Sequence, residues 1–133
     1  MGSILIIDDE EDIRDALQMI LESAGYQVQV ASNGAEAIEL HRKEPADVII
    51  TDIIMPEKDG VSTIKVIRQE SPGIRIIAIS GGGGRPMSYM PDAISTSAYL
   101  AAARQAGADL TITKPFEREE LIQAVDSLLN KIH

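Results

Sequence analysis

The sequence contains no cysteine, which excludes a disulfide framework, a thiolate metal site and a cysteine nucleophile. It also lacks any run of basic residues, and 12 Lys and Arg stand against 21 Asp and Glu, for a net charge of −9. Phosphate contacts need clustered Lys and Arg, so this balance argues against nucleic-acid binding. No apolar run approaches the roughly 20 residues of a membrane span, and the stretch from Met1 to Ile7 that leads to Asp8 is too short for a signal peptide. We therefore expect a soluble, cytoplasmic protein.

The length of 133 residues suits one domain around one core. Hydrophobic residues make up 44% of the chain, which is ordinary for a globular protein. We expect residues 1–133 to form a single domain. We expect no second, DNA-binding or catalytic output domain.

Short apolar runs occur at five places along the chain. Runs of this length are typical of buried strands in a parallel sheet, and they cover Ile4–Ile7, Tyr26–Val30, Val48–Thr51, Ile74–Ile79 and Leu110–Thr113. In the second run apolar and polar residues alternate, which indicates a half-exposed strand at a sheet edge.

Segments of helical periodicity lie between and after these runs. Apolar residues spaced by three and four predict the helices, over Ile13–Ala24, Asn33–Lys43, Val61–Ile67, about Ser97–Gln105 and Leu121–Leu129. Asn33 with Glu36 resembles a capping box, while Gly25 and Gly107 follow helix ends. Right-handed crossovers then place helices on both faces of a five-stranded parallel sheet, an α/β fold.

Acidic and basic side chains follow three of the predicted strands. Asp8 and Asp9 follow the first strand, Asp52 the third and Lys114 the fifth. A parallel sheet gathers the carboxyl ends of its strands on one edge, where ligands bind in open α/β sheets. Three carboxylates in one pocket are costly unless a cation joins them. The sequence therefore predicts a site for a metal ion with an anionic group beside it.

These residues belong to motifs that resemble the receiver domain of bacterial two-component response regulators. The match runs nearly end to end, and the motifs occur in the family's order: Ile6-Ile7-Asp8-Asp9-Glu10, Thr51-Asp52-Ile53-Ile54-Met55-Pro56, Asp59-Gly60, Ser80 and Lys114-Pro115-Phe116. Each motif alone is weak, but together at strand ends they are specific. The resemblance implies a flavodoxin-like, doubly wound sheet with strand order 2-1-3-4-5 and five helices.

The resemblance also implies a metal site and a phosphoacceptor. Asp52 would accept the phosphoryl group, and a carboxylate is a weak nucleophile that depends on positioning and charge neutralisation. Asp9 would bind Mg²⁺ directly, Asp8 largely through water, and the backbone carbonyl of Ile54 would complete the protein ligands beside Asp52. Mg²⁺ prefers such hard oxygen ligands and keeps several waters.

Two further residues would contact the phosphoryl group. Lys114 would pair with one phosphoryl oxygen as a point charge, and Ser80 would donate its hydroxyl to another. The family pattern also implies a cis peptide bond between Lys114 and Pro115.

The function implied is that of a phosphoacceptor signalling switch in a two-component phosphorelay. A sensor histidine kinase or a histidine phosphotransfer protein would donate phosphoryl to Asp52 in the presence of Mg²⁺. The modification would change the surface formed by the β4–α4 region and the last helix, and with it the affinity for a downstream protein target. Only weak self-phosphorylation and self-dephosphorylation are expected, so the protein is not an enzyme in the usual sense. We expect a monomer or a weak homodimer.

The sequence departs from the family pattern at two places. The loop after the fourth strand is enlarged over Gly81–Ser95 and contains four consecutive glycines; it is either a mobile functional segment or a tolerated surface insertion. Receivers commonly carry Tyr or Phe three residues before the lysine, where this chain has Thr111. Coupling through an aromatic side chain at that position is therefore in doubt.

Two other functions use a similar set of residues. A Mg²⁺-dependent phosphohydrolase also has an Asp nucleophile at a strand end, but it usually needs an acid two residues later. Here that residue is Ile54, which cannot transfer protons. A receiver-like scaffold that binds partners without phosphorylation is the third alternative, and the intact acidic set argues against it.

Overall fold

The strands form one parallel sheet in the order β2-β1-β3-β4-β5, which confirms the predicted fold class and strand order. The structure is a computed structural model and describes residues 2–52, 60–80, 101–113 and 116–130. The strands are β1 Ser3–Ile7, β2 Gln27–Ala31, β3 Val48–Asp52, β4 Arg75–Ser80 and β5 Leu110–Thr113.

Five helices connect or follow the strands. They are α1 Glu11–Ser23, α2 Gly34–Lys43, α3 Gly60–Glu70, α4, which is described over residues 101–106, and α5 Arg118–Asn130. The predicted Gly81–Ser95 loop and the predicted start of α4 near Ser97 lie outside the described residues. Within the described part of the chain, no helix is long and apolar enough to cross a membrane.

Strand β2 is an edge strand, as predicted, but it lies one residue later than the sequence indicated. The backbone N–H of Tyr26 donates to the carbonyl of Leu21 at the end of α1, at 3.1 Å, so it closes the helix and does not join the sheet. The Tyr26 hydroxyl donates to the carboxylate of Asp126 on α5. The ladder with β1 therefore runs from Gln27 to Ala31.

The hydrophobic core lies on both faces of the sheet, because successive residues of a strand point to opposite faces. Leu5 and Ile7 of β1 belong to the cluster shared with α2, α3 and α4. Ile4 and Ile6 belong to the cluster shared with α1 and α5. All four side chains are buried, so β1 is held from both sides and its carboxyl end is fixed in place.

The predicted helix ends are confirmed in their main features. The Asn33 side chain accepts the backbone N–H of Glu36 at 2.9 Å, and Glu36 in turn accepts the backbone N–H of Ser32 at 2.6 Å. The capping arrangement at α2 is therefore reciprocal but reaches one residue further back than a standard capping box. Gly25 and Gly107 have positive φ angles of 97° and 130°, the conformation that favours glycine after a helix.

Candidate functional site

The sheet register brings the ends of β1 and β3 side by side. Ile7 of β1 pairs with Thr51 of β3, so the next residue of each strand, Asp8 and Asp52, emerges at the same edge. Asp52 in turn pairs with Ile79, the penultimate residue of β4. Strand pairing therefore brings Asp8 and Asp52 to this edge, and Asp9 follows in the β1–α1 turn.

Four carboxylates meet at this edge. The ligand oxygens of Asp8, Asp9, Glu10 and Asp52 all lie within 4.8 Å of one another. Asp8 and Asp52 are only 1% and 3% exposed, whereas Asp9 and Glu10 are half-buried. The cluster thus has a buried base formed by two strands and a more open side formed by the β1–α1 turn.

Asp8 is held by hydrogen bonds from three directions. Its backbone N–H donates to the carbonyl of Ala31 on β2 at 3.1 Å. One carboxylate oxygen accepts the backbone N–H of Glu10 at 2.9 Å, and its own carbonyl accepts Nη1 of Arg14 at 2.7 Å. Both the backbone and the side chain of Asp8 are therefore fixed relative to the sheet.

The environment of the cluster favours a hard cation. Several carboxylates packed together and withdrawn from water repel one another, and a divalent ion removes that cost. Helix α1 begins at Glu11, directly after the cluster, so its positive N-terminal end also stabilises negative charge there. Carboxylate oxygens are the ligands that Mg²⁺ prefers, and the set of donors present fits that ion.

The remaining predicted site residues are described only in part. Ser80 is the last residue of β4, and its backbone pairs with Thr113 of β5, which places it at the same edge of the sheet as Asp52. Its side chain lies outside the described part of the chain. Lys114, its peptide bond to Pro115, and Ile54 lie outside the described residues as well, so their assigned roles remain predictions.

Glu10 and Arg14 are parts of the site to which sequence analysis assigned no role. Glu10 directly follows Asp8 and Asp9 in sequence, and this adjacency is the sequence feature that could have indicated its place in the site. Arg14 carries no comparable signal, because its contact with Asp8 depends on how α1 leaves the sheet. Thr51, the residue before Asp52, is fully buried and donates its hydroxyl to the carbonyl of Asp52 at 2.9 Å.

Thr111 occupies the middle of β5, paired with Ala78 of β4. It is half-buried and lines a groove of about 610 Å³ between β5 and α5, together with Glu117, Glu120 and Ala124. The small side chain at this position therefore borders open space.

Comparison with known families identifies the family to which this chain belongs. The family model described as response regulator receiver domain matches residues 4–126. The chain belongs to the response regulator receiver family. The resemblance inferred from the motifs is thereby confirmed.

Similar proteins include both short and long chains. The chain is 37% identical to the chemotaxis protein CheY of Bacillus subtilis over 128 residues, covering 96% of this chain and 97% of that protein. It is 32% identical to the transcriptional regulatory protein GlrR of Escherichia coli over 128 residues, but that match covers only 26% of GlrR. The crystal structure of a putative response regulator from Chloroflexus aurantiacus matches with a TM-score of 0.81 at 30% identity, covering 97% and 98% of the two chains.

Membership of the family establishes the coarse function. Receiver domains are phosphoacceptor signalling domains of two-component systems, and they are generally not classed as enzymes. They bind Mg²⁺ at an acidic pocket, and the carboxylates of Asp8, Asp9, Glu10 and Asp52 form a cluster in this chain that could hold a metal ion. Members interact with histidine kinases and with downstream targets.

Proposed function

We propose that this protein is a phosphorelay switch in which Asp52 accepts a phosphoryl group from a phosphohistidine. The single observation that carries the proposal is the buried carboxylate of Asp52, 3% exposed, gathered with three other carboxylates within 4.8 Å. Like charges gathered away from water raise the electrostatic free energy of the folded protein, and a bound divalent cation offsets that cost. Family membership supports the same assignment.

The transfer exchanges one bond to phosphorus for another. A carboxylate oxygen of Asp52 attacks the phosphorus, the P–N bond to the donor histidine breaks, and the imidazole leaves with the electron pair and takes a proton. Little covalent assistance is needed from the protein, because positioning and charge neutralisation provide most of the acceleration in phosphoryl transfer. The rigid strand end at Asp52 provides the positioning.

Asp8, Asp9 and Asp52, with the backbone carbonyl of Ile54, are the proposed protein ligands of Mg²⁺. When bound, the ion neutralises the carboxylates and the negative charge of the incoming phosphoryl group. Glu10 lies close enough to contribute through a bound water, which Mg²⁺ usually retains. Lys114 and Ser80 are proposed to contact two phosphoryl oxygens. Ser80 ends β4 at the same edge of the sheet as Asp52, which supports its proposed contact with the phosphoryl group.

The donor is proposed to be a sensor histidine kinase or a histidine phosphotransfer protein, and the readout a change in affinity for a downstream protein target. Linkage requires that the target bind the phosphorylated and unmodified forms with different affinity. Hydrolysis of the acyl phosphate by the protein itself is expected to be slow, so the modified state persists as a signal.

The test is to incubate the protein with Mg²⁺ and a small acyl phosphate and to locate the modification by peptide mass spectrometry. We expect one phosphoryl group on Asp52 in the wild type and none in Asp52→Asn. Asp47→Asn is the matched control, since Asp47 lies before β3 and accepts the backbone N–H of Ser3 at the opposite edge of the sheet. Modification of Asp52→Asn to the wild-type level would overturn the assignment.

A further inference from the structure

Arg14 lies on the second turn of α1 and reaches back toward the acidic turn. Its guanidinium Nη1 donates to the backbone carbonyl of Asp8 at 2.7 Å, in a partly buried position. Its neighbours in sequence include the acids Glu11, Asp12 and Asp15, which are exposed on α1. The hydrogen bond of the guanidinium nevertheless goes to a neutral carbonyl, across the start of the helix.

The carbonyl that Arg14 contacts belongs to the peptide group joining Asp8 to Asp9. The preceding peptide is held by the sheet, through the Asp8 N–H on the carbonyl of Ala31. The following segment is held by the Glu10 N–H on the Asp8 carboxylate. Of these three hydrogen bonds, the one from Arg14 is the only one made by a side chain of α1, and it therefore links the helix directly to the acidic turn.

The direction of the peptide group decides where the next side chain points. Rotation of the Asp8–Asp9 peptide would turn its carbonyl away from α1 and would move the Asp9 carboxylate relative to those of Asp8 and Asp52. A charge-assisted hydrogen bond to this carbonyl opposes that rotation. Groups that orient metal ligands without touching the metal typically change metal affinity by tenfold or more.

We propose that Arg14 is a positioning residue for the divalent-cation site, acting through the Asp8–Asp9 peptide and not through direct interaction of its charge with the cation. The inference rests on the proposed function, since it concerns the same site. Position and charge act in opposite directions here. A positive charge near the site repels a cation, so losing it strengthens Mg²⁺ binding, whereas losing the tether to Asp8 weakens it.

Two variants of Arg14 separate these effects. Arg14→Gln removes the charge and shortens the side chain, so that it no longer reaches the Asp8 carbonyl. Arg14→Lys keeps the charge but loses the planar set of guanidinium donors. The measurement is the Mg²⁺ dissociation constant from chemical-shift titration of backbone amides, with Mg²⁺ as the only added ligand. The amide signals of Asp9 and Glu10 in the Mg²⁺-free protein are recorded at the same time, because they report the peptide orientation directly.

We expect both variants to bind Mg²⁺ more weakly, Arg14→Gln by about tenfold and Arg14→Lys by less, with shifted amide signals at Asp9 and Glu10. Arg104→Gln, an exposed arginine on α4, makes the same change of net charge and should leave the affinity within about twofold of wild type. Tyr26→Phe removes the hydrogen bond to Asp126 and controls for a general loss of stability; it should lower the melting temperature and leave Mg²⁺ binding unchanged.

Three results would overturn the inference. Tighter binding in Arg14→Gln with wild-type affinity in Arg14→Lys would mean that Arg14 acts only as a charge. Wild-type affinity in both variants would mean that the tether is irrelevant to the cation. Absence of Mg²⁺ binding by the wild type would instead overturn the proposed function itself, and the inference with it.

Discussion

Gly34, the first residue of α2, lies against Thr63 of α3 so closely that a Cβ added to it would be 2.0 Å from the Thr63 Oγ1 and 3.2 Å from its Cβ. Thr63 is fully buried, so it has little freedom to move aside. The contact fixes how closely the first turns of α2 and α3 approach each other. Glycine is required here by the lack of space, and its φ angle is not positive.

Replacing Gly34 by alanine should therefore destabilise the fold by about 2 kcal/mol, as overpacking of a rigid contact does. Urea unfolding of Gly34→Ala against wild type measures this. Gly73→Ala is the matched control, since a Cβ there meets no atom within 4 Å, and it should change the free energy of unfolding by less than about 0.5 kcal/mol. In a Thr63→Ala background the cost of Gly34→Ala should shrink; an unchanged cost would show that Thr63 is not the obstacle.

His41 at the end of α2 is predicted to make folding stability depend on pH. The backbone N–H of Ala46 donates to Nδ1 at 3.1 Å, and since an amide can only donate, Nδ1 must be unprotonated. The proton is then on Nε2, which lies 3.0 Å from the Ser71 Oγ. Burial lowers the pKa of His41 below its ordinary value of 6.5, while the charge of Glu70 raises it, and burial is the larger effect.

Because the folded protein holds His41 neutral, the unfolded chain binds a proton first as the pH falls. The contribution of neutral His41 to the free energy of unfolding is complete above pH 6.5. It is lost as the pH falls from 6.5 through the lower pKa of the folded protein. The slope is at most about 1.4 kcal/mol per pH unit. Urea midpoints measured between pH 7.5 and pH 5 should therefore fall more steeply for wild type than for His41→Gln. Parallel curves for the two proteins would contradict this. In Glu70→Gln the pKa of His41, followed by NMR, should be lower still.

Arg68, near the end of α3, links two loops at the amino-terminal edge of the sheet, opposite the edge that carries the acidic cluster. Its Nη1 donates to the carbonyls of Pro72 and Ile74 at 2.9 and 2.6 Å. Its Nη2 donates to the carbonyl of Gly107 at 2.5 Å and to the carboxylate of Asp109 at 3.0 Å. One guanidinium thus serves four acceptors in the loops before β4 and β5.

Arg68→Ala removes four hydrogen bonds, three of them partly buried, and should destabilise the protein by about 3 kcal/mol. Arg68→Lys should recover little, because an ammonium group cannot span both loops. The exposed Arg104 gives the comparison: Arg104→Ala should lie within about 0.5 kcal/mol of wild type in thermal or urea unfolding. Equal effects of the two alanine variants would contradict the bridging role.

Much of the fold follows from local patterns that the sequence displays directly. Apolar runs ending at Ile7, Thr51 and Ile79 specify buried parallel strands, and the same runs place Asp8 and Asp52 at one edge. Those features depend only on the periodicity of apolar residues along the sequence and on strand pairing. The end of α2 and the acidic cluster could therefore be predicted from spacing and motif.

Other features depend on contacts between elements that no local pattern encodes. The sequence placed Tyr26 in β2, whereas its N–H closes α1 and its hydroxyl reaches α5. The path of α1 across the sheet decides which backbone group Arg14 meets, and the spacing of α2 and α3 decides that Gly34 must be glycine. Nothing in the neighbouring residues of either position indicates those distant partners.

The most direct test of the central claim is whether Asp52 gains a phosphoryl group only when a divalent cation is present. Intact-protein mass spectra are recorded after incubation with a small acyl phosphate in Mg²⁺ and, in parallel, after removal of Mg²⁺ with EDTA. Asp9→Asn is included in the Mg²⁺ arm, because it removes a proposed ligand but leaves Asp52 intact. We predict one added phosphoryl group in wild type with Mg²⁺, and little or none with EDTA or in Asp9→Asn. Equal modification of the wild type with and without the ion would contradict the account.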